Sequence, residues 1–390
     1  MKALKVFLLS LCLVLGACGG GGGGSAGAGA GSGNGGSTTS KTVAGILYKA
    51  EEATNHGYLS AQYAYTDGTV GTATTVVASY CSGNNDHDLI ANTTVNPGTT
   101  YLYLICRNSG TIMGWAAGSS PSTTLTQVAD VSPGVCCLAQ QALSSNGKYL
   151  FVANTATNTL LEYSVGNNGA LTSMGAVLSF GGSYGVYSVA VSPSGNYLVL
   201  ARADSAGTTY YLDEYAVDNS TGGLSQVGTD VTISTLNTFG GLYPAQNTNN
   251  GDLLSYVTGQ GGNQLLVIKS GSSWGSSNIV ALSLNGSASY GGPQFDTTGK
   301  VLYLSGLNTG ACSGTEVLEV LAYSVGTGGA SITQTASGCG VGSATSGNPV
   351  ALDNTDGLYF TDESVWSVSA TKVSYVGLAA SGAFGTVFIP

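Results

Sequence analysis

Arg107 and Arg202 are the two arginines of the 390-residue sequence, and each lies at the end of a short apolar run. Aligned on Asn154, which follows Phe151-Val152-Ala153, the slot at the end of such runs holds Glu51, Cys106, Asn154, Arg202, Thr258, Gly306 and Asp362. Glu52, Arg107, Asp204 and Glu363 stand beside it. Guanidinium and carboxylate groups gathered at one mouth would orient a carboxylate or a sugar through charge-assisted hydrogen bonds. Glu51, Arg107, Asn154, Arg202 and Asp362 are therefore the candidate ligand-binding set. The plainer reading of the same residues is a solvated rim laced with ion pairs.

Histidine and carboxylates cluster once, in Asn84-Asn85-Asp86-His87-Asp88. A metal, or a histidine base flanked by Asp86 and Asp88, is one reading. A polar connecting turn is the simpler one, because adjacent residues rarely converge on one point. The sequence has two histidines, His56 and His87, and no GxSxG elbow, so no Ser-His-Asp set can be nominated. With no CxxC spacing, zinc is not expected either, and no other metal or cofactor is called for.

The elements that position these residues follow from a repeat. YSVGNNGALTSMG from Tyr163 returns as YAVDNSTGGLSQVG from Tyr215 and YSVGTGGASITQT from Tyr323. Tyr63, Trp115 and Trp366 fill the same aromatic slot, and a decayed copy falls near Val267. The series 63, 115, 163, 215, 267, 323, 366 has steps of 43 to 56 residues. Units of roughly 40–50 residues with several short strands each point to propeller blades. These aromatics are read as packing residues on the third strand of each blade. The unit around residue 200 is the clearest, with strand A at YSVAVS from Tyr187, a PSGN turn, B at YLVLA from Tyr197, C at TYYLDEYAV from Thr209 and D at LSQVG from Leu224. The turns SSNGK, DTTGK and DNTDG repeat that A–B hairpin, with Gly or Asn supplying positive φ. The expected fold is all-β, a seven-bladed β-propeller of four-stranded antiparallel blades. Its first unit begins at a B strand, GILYKAEE, while the last residues, AFGTVFIP, resemble an A strand. Pairing of the two would close the ring and remove open edges.

Those assignments also place the cysteines. Cys106 and Cys312 lie at or past B-strand ends, and Cys81, Cys136, Cys137 and Cys339 lie in links from a D strand to the next A strand. Both connection types share one face of an up-and-down blade, so the six read as disulfides of an exported protein. Cys312 with Cys339 is the expected pair. The other four allow Cys81–Cys106 with a vicinal Cys136–Cys137 bond, or Cys106 bonded to one of the doublet.

The run NGKYLFVANTATNTLLEYSVGNNGALT, Asn146 to Thr172, resembles a repeat of the YVTN and lactonase-like seven-bladed propellers, with Phe151–Asn154 in the signature position. The resemblance is strong over 139–228, moderate over 293–335 and weak elsewhere. It implies the fold more than an activity, since this architecture carries hydrolases, isomerases and binding proteins.

Ahead of the repeats, Lys2 and Lys5 precede an apolar run from Val6 to Leu15, too short to span a bilayer as a helix. Residues 1–17 read as an export signal. Leu15-Gly16-Ala17-Cys18 resembles the lipobox of bacterial lipoproteins, which implies cleavage before Cys18 and acylation of its thiol. Gly19 in the next position favours, by the same resemblance, the outer membrane of the cell envelope, facing either periplasm or medium. Residues 18–40 are almost entirely Gly, Ala, Ser, Thr and Asn, the composition of a flexible tether, and residues 41–390 form the propeller domain.

Loss of Lys2 and Lys5 with the leader moves the formal charge from −10 to −12, which argues against nucleic acid or anionic lipid as partners. The membrane is then reached through the lipid alone. The expected molecule is a monomeric, lipid-anchored propeller that binds a protein, a carbohydrate or a small anion, or serves as a scaffold. The rival expectation is a lactonase-like hydrolase or isomerase acting on a small sugar acid or lactone; the scarcity of His and Arg weighs against it. A surface adhesin would use the same fold and its Gly/Ser/Thr/Tyr-rich loops. Replacing Cys18 by Ala is expected to abolish lipid labelling and release the domain from membranes. Retention of covalent lipid in the Cys18→Ala protein would refute the lipobox assignment.

Overall fold

A computed structural model describes residues 41–390, apart from 54–55, 83–86, 119–124, 182–183, 205, 207–208, 235–241, 246–249, 258–263, 286–287, 308–311, 313–317, 341–350, 353–357, 361–363, 379–382 and 390. Among the described residues the strands form seven antiparallel sheets, six of them four-stranded. In the remaining one the first strand is broken into Ser289–Tyr290 and Gln294–Phe295, which both pair with Val301–Leu307. Each sheet reads A, B, C, D in hydrogen-bonded order. In the third blade these are Leu138–Leu143, Tyr149–Asn154, Thr159–Val165 and Leu171–Ser179. In the fourth they are Tyr184–Val191, Tyr197–Asp204, Thr209–Val217 and Leu224–Ser234.

Burial falls outward along this order. The B strands Tyr101–Cys106 and Leu253–Val257 are buried at every residue, whereas most of Leu171–Ser179, a D strand, is exposed. Continuous apolar runs suit a strand covered on both faces. The period of two decides which neighbour covers which face. Leu198 and Leu200 of the fourth blade pack on Phe151, Ala153 and Leu160 of the third. Val199, Ala201 and Ala203 pack instead on Leu254 and Tyr256 of the fifth. The repeated aromatic slot is filled largely as expected: Trp115, Tyr163, Tyr215, Tyr323 and Trp366 are buried on C strands, Tyr63 is half-buried on that of the first blade, and Val267 occupies the slot in the fifth.

Turns lock successive blades together. Gly147 has φ 68°, and a Cβ there would come within 2.4 Å of Asn92 Oδ1. Asn92 Nδ2 in turn donates to the Gly147 carbonyl at 2.8 Å, binding the second blade to the A–B hairpin of the third. Among the described residues three disulfides are present, Cys81–Cys106, Cys136–Cys137 and Cys312–Cys339. The alternative of Cys106 bonded to the doublet is thereby set aside. Cys81–Cys106 staples the D strand of the first blade to the B strand of the second.

The C-terminal strand Ala383–Ile389 pairs antiparallel with Val43–Ala53, with Ile46 opposite Ile389 and Lys49 opposite Thr386. It also touches the first strands of the second and seventh blades. Deleting residues 383–390 is expected to lower the melting temperature by on the order of 10 °C or to prevent folding, because neighbouring blades stabilise one another. A truncated protein with unchanged melting and protease resistance would overturn that expectation.

Candidate functional site in the central channel

The first strands of the second to sixth blades surround a cavity of about 300 Å³. Its apolar wall includes Ile90, Val189, Val191 and Leu242, and its polar groups are Asp88, Gln140, Gln141, Tyr243 and Gln294. A cleft of this size with a few converging polar side chains is the usual form of a small-molecule site.

Local backbone irregularity creates the polar wall. The strand register shifts between Leu138 and Gln141, so two successive glutamines are presented from one otherwise apolar strand. Gln140 crosses to its neighbours: its Oε1 accepts from Ser188 Oγ, from Val189 N–H at 3.2 Å and from Leu242 N–H at 3.3 Å. Its Nε2 donates to the Leu242 carbonyl at 2.9 Å. One amide therefore ties the first strands of three blades. Gln141 holds Asp88, whose Oδ2 accepts from Gln141 N–H at 2.9 Å while Gln141 Nε2 donates to the Asp88 carbonyl at 2.7 Å.

The surroundings of Asp88 penalise its charge. Burial pushes its carboxyl from an ordinary value near 3.8 up to about 7, only partly opposed by the Gln141 N–H. Tyr243 is raised too, first by burial and then by the nearby Asp88 charge. At neutral pH the cavity therefore presents a carboxyl group poised between its two forms beside a phenol that stays protonated. That is a base and a hydrogen-bond donor in one enclosure. Among the described residues, no three His, Cys, Asp or Glu side chains gather as metal ligands.

The residues nominated from sequence are placed differently from one another. Arg107 follows the second blade's B strand, and its carbonyl accepts from Cys137 N–H at 2.6 Å and Leu138 N–H at 3.2 Å. Its charge counters the burial that raises the Tyr187 phenol, so Arg107 stands near an A strand of the fourth blade. Asn154 is fully buried. Its Nδ2 donates to the Cys136 carbonyl at 3.1 Å, and its Oδ1 accepts from Ala156 and Thr157 N–H, both at 2.9 Å. It is a turn-forming residue rather than a ligand contact. Glu51 is also buried, accepting from Tyr58 Oη at 2.9 Å and from Ser60 Oγ. Asp362 and Asp86 lie outside the described residues, as does the side chain of His87.

Arg202 corrects the expected mouth most directly. It lies inside the B strand of the fourth blade and is only 6% exposed. Its Nε donates to Asp213 Oδ2 at 2.5 Å, Nη2 donates to Asp213 Oδ1 at 3.3 Å and also to Asp230, and Tyr211 lies 4.5 Å from the guanidinium. The guanidinium crosslinks strands B, C and D of one blade. Reasoning from sequence missed Gln140, Gln141 and Tyr243. The visible signal was a polar Gln-Gln pair inside the apolar run Leu138–Leu143.

Residues 92–239 match the family model described as "Lactonase, 7-bladed beta-propeller". No curated protein sequence matches the chain. Among solved structures, the Pseudomonas aeruginosa periplasmic gluconolactonase PpgL is similar at TM-score 0.64 and 15% identity, over 89% of this chain and 99% of that one. A Bacteroides fragilis protein described as a candidate 6-phosphogluconolactonase gives 0.64 and 13%, over 91% and 99%. Hydrazine synthase from Kuenenia stuttgartiensis gives 0.50 and 12%, over 87% and 97%. At these identities the likeness establishes an all-β propeller of antiparallel blades.

The position of Arg202 makes it a determinant of stability. Replacing it by Ala leaves Asp213, 1% exposed, as a buried carboxylate without its counter-ion, which is expected to cost about 3–5 kcal/mol. Urea denaturation at pH 7 measures this, and a loss below about 1 kcal/mol would show that the cluster is not a structural crosslink.

Proposed function

We propose that the chain is a lactonase-like hydrolase of the cell envelope that opens a small sugar lactone in the central channel. The observation that carries this reading is the enclosed pairing of Asp88, raised to about 7, with the protonated phenol of Tyr243. The family match over 92–239 and the fold shared with a periplasmic gluconolactonase support the substrate class. In the proposed reaction, ionised Asp88 takes a proton from water as its oxygen adds to the lactone carbonyl. Tyr243 donates to the developing oxyanion. Collapse then breaks the ring C–O bond, and protonated Asp88 returns the proton to the leaving alkoxide, giving the hydroxy acid. Arg107, near the first strand of the fourth blade, would attract the acid product or an anionic substituent.

The same reading includes a ring of seven blades closed by Ala383–Ile389, supported by its pairing with Val43–Ala53. It also includes processing after residue 17, lipid on Cys18 and a tether to residue 40 that holds a monomeric propeller at the outer membrane. The disulfides support a location outside the cytoplasm.

The test is hydrolysis of glucono-δ-lactone, followed above its spontaneous rate. Asp88→Asn is expected to lower turnover by about 10²–10⁴-fold. The wild-type rate should rise with pH through an apparent pKa near 7, because the ionised form is the base. Stability runs the other way. A carboxyl raised on folding holds its proton in the native state, so stability is lost as pH rises from about 4 to about 7. Asp88→Asn should therefore be at least as stable as wild type above pH 7, which separates lost chemistry from lost structure. Saturable lactone binding without turnover would assign the cavity to a binding module instead.

A further inference from the structure

A second cavity, of about 420 Å³, lies at the junction of the fifth and sixth blades. It arises from unequal strands. The fifth blade's D strand, Ile279–Ser283, has five residues, while the sixth blade's D strand, Ile332–Gly340, has nine. The shorter strand leaves part of its neighbour uncovered. Leu282, Leu284, Leu321 and Ile332 form the apolar wall, and Glu319, Tyr290, Tyr323 and Gln334 supply polar atoms.

Glu319 is the anomaly in this enclosure. It is 3% exposed, on the C strand Leu318–Val325 of the sixth blade. Its carboxylate accepts no hydrogen bond from any described residue, although its charge reaches the phenols of Tyr290 and Tyr323, which burial already raises. The Tyr290 hydroxyl accepts from Asn285 N–H at 3.1 Å. The Tyr323 hydroxyl, on a side chain 2% exposed, likewise has no hydrogen-bond partner among the described residues. Among the described residues, no lysine, arginine or histidine lines the space. Buried carboxylates are ordinarily paired or hydrogen-bonded, and this one has neither compensation. Three other buried acids do: Asp213 has Arg202, Glu51 has Tyr58 and Ser60, and Glu214 accepts from Gly271 N–H at 3.1 Å. Glu162 of the third blade shares the lack of a partner among the described residues but borders neither cavity.

We propose that this inter-blade cavity is a second binding site, which takes a small primary ammonium ion with an apolar body. The ammonium donates to Glu319 and to the Tyr323 oxygen, and the body lies against Leu282, Leu284, Leu321 and Ile332. An anion is repelled by Glu319 with no cation to offset it. A neutral alcohol supplies a donor but leaves the charge uncompensated. The site stands apart from the channel and does not depend on the hydrolase reading.

The probes are 2-phenylethylammonium and 2-phenylethanol, matched in shape and differing in charge, titrated calorimetrically into the full-length protein. The ammonium is expected to bind saturably, and the alcohol at least tenfold more weakly. Glu319→Gln should lose tenfold or more toward the ammonium and treat the two probes alike. That variant removes a buried charge at constant shape, so its melting temperature should equal or exceed that of wild type. Leu284→Trp should fill the cavity and abolish binding, while Asp88→Asn should leave ammonium affinity unchanged. Absence of saturable ammonium binding, equal affinity for the alcohol, or undiminished binding by Glu319→Gln would each overturn the proposal.

Discussion

B strands such as Tyr101–Cys106, Tyr197–Asp204 and Leu253–Val257 have to be covered on both faces, and no single blade can cover its own. Leu198 and Leu200 depend on the third blade, and Val199 and Ala201 on the fifth. The core is thus a series of shared interfaces rather than one centre, which is how a 350-residue domain with 8% charged residues avoids the size limit of a single core. The same constraint explains the repeated phrase in the sequence. A large aromatic on the C strand of most blades, such as Tyr163 or Trp366, fills the gap that opens between adjacent blades away from the channel.

Charges caught in these interfaces must then be neutralised locally. Arg202 does so for Asp213 and Asp230 across three strands of one blade. Even with that partner, burial outweighs the guanidinium, and the Asp213 carboxyl is raised to about 6. Glu214 is raised to about 7, with desolvation opposed by Ser270 and the Gly271 N–H. Asp88 and Glu319 differ from both because each borders a cavity rather than a packed interface. A charge beside empty space has room for a ligand to complete it, whereas a charge inside a packed interface has only its built-in partner.

Much of the fold was legible because it rests on local rules. Period-two burial, Gly-containing hairpins and the aromatic slot recover the strands, and even Val267 falls where a missing aromatic was expected. The Cys312–Cys339 pair followed from the strand assignments, which fix the face of each connection but left two pairings open for the other four cysteines. The candidate mouth was less legible, for a reason visible in strand length. Tyr149–Asn154 has six residues and ends in a turn at Asn154, while Tyr197–Asp204 has eight. Aligning Arg202 on Asn154 therefore placed it at a rim, although two further residues carry the strand onward and enclose it. The channel wall was hidden because A strands carry no repeated marker, and the register shift that exposes Gln140 and Gln141 leaves no signature in residue spacing.

Both cavities occur where the repeat is broken. The channel is lined by a three-residue A strand, Leu242–Pro244, and by an A strand split around residues 291–293. The outer cavity opens beside a five-residue D strand. A perfectly regular propeller would bury each polar side chain against an equivalent neighbour or expose it at a rim, and would leave no room beside it for a ligand. Shortened strands remove the covering side chains while the adjacent blades, held by turn contacts such as Asn250 Nδ2 to the Gly299 carbonyl at 2.8 Å, keep their positions. Chemistry in such a molecule is therefore to be sought at the departures from its repeat, where the scaffold stays rigid and the packing stops.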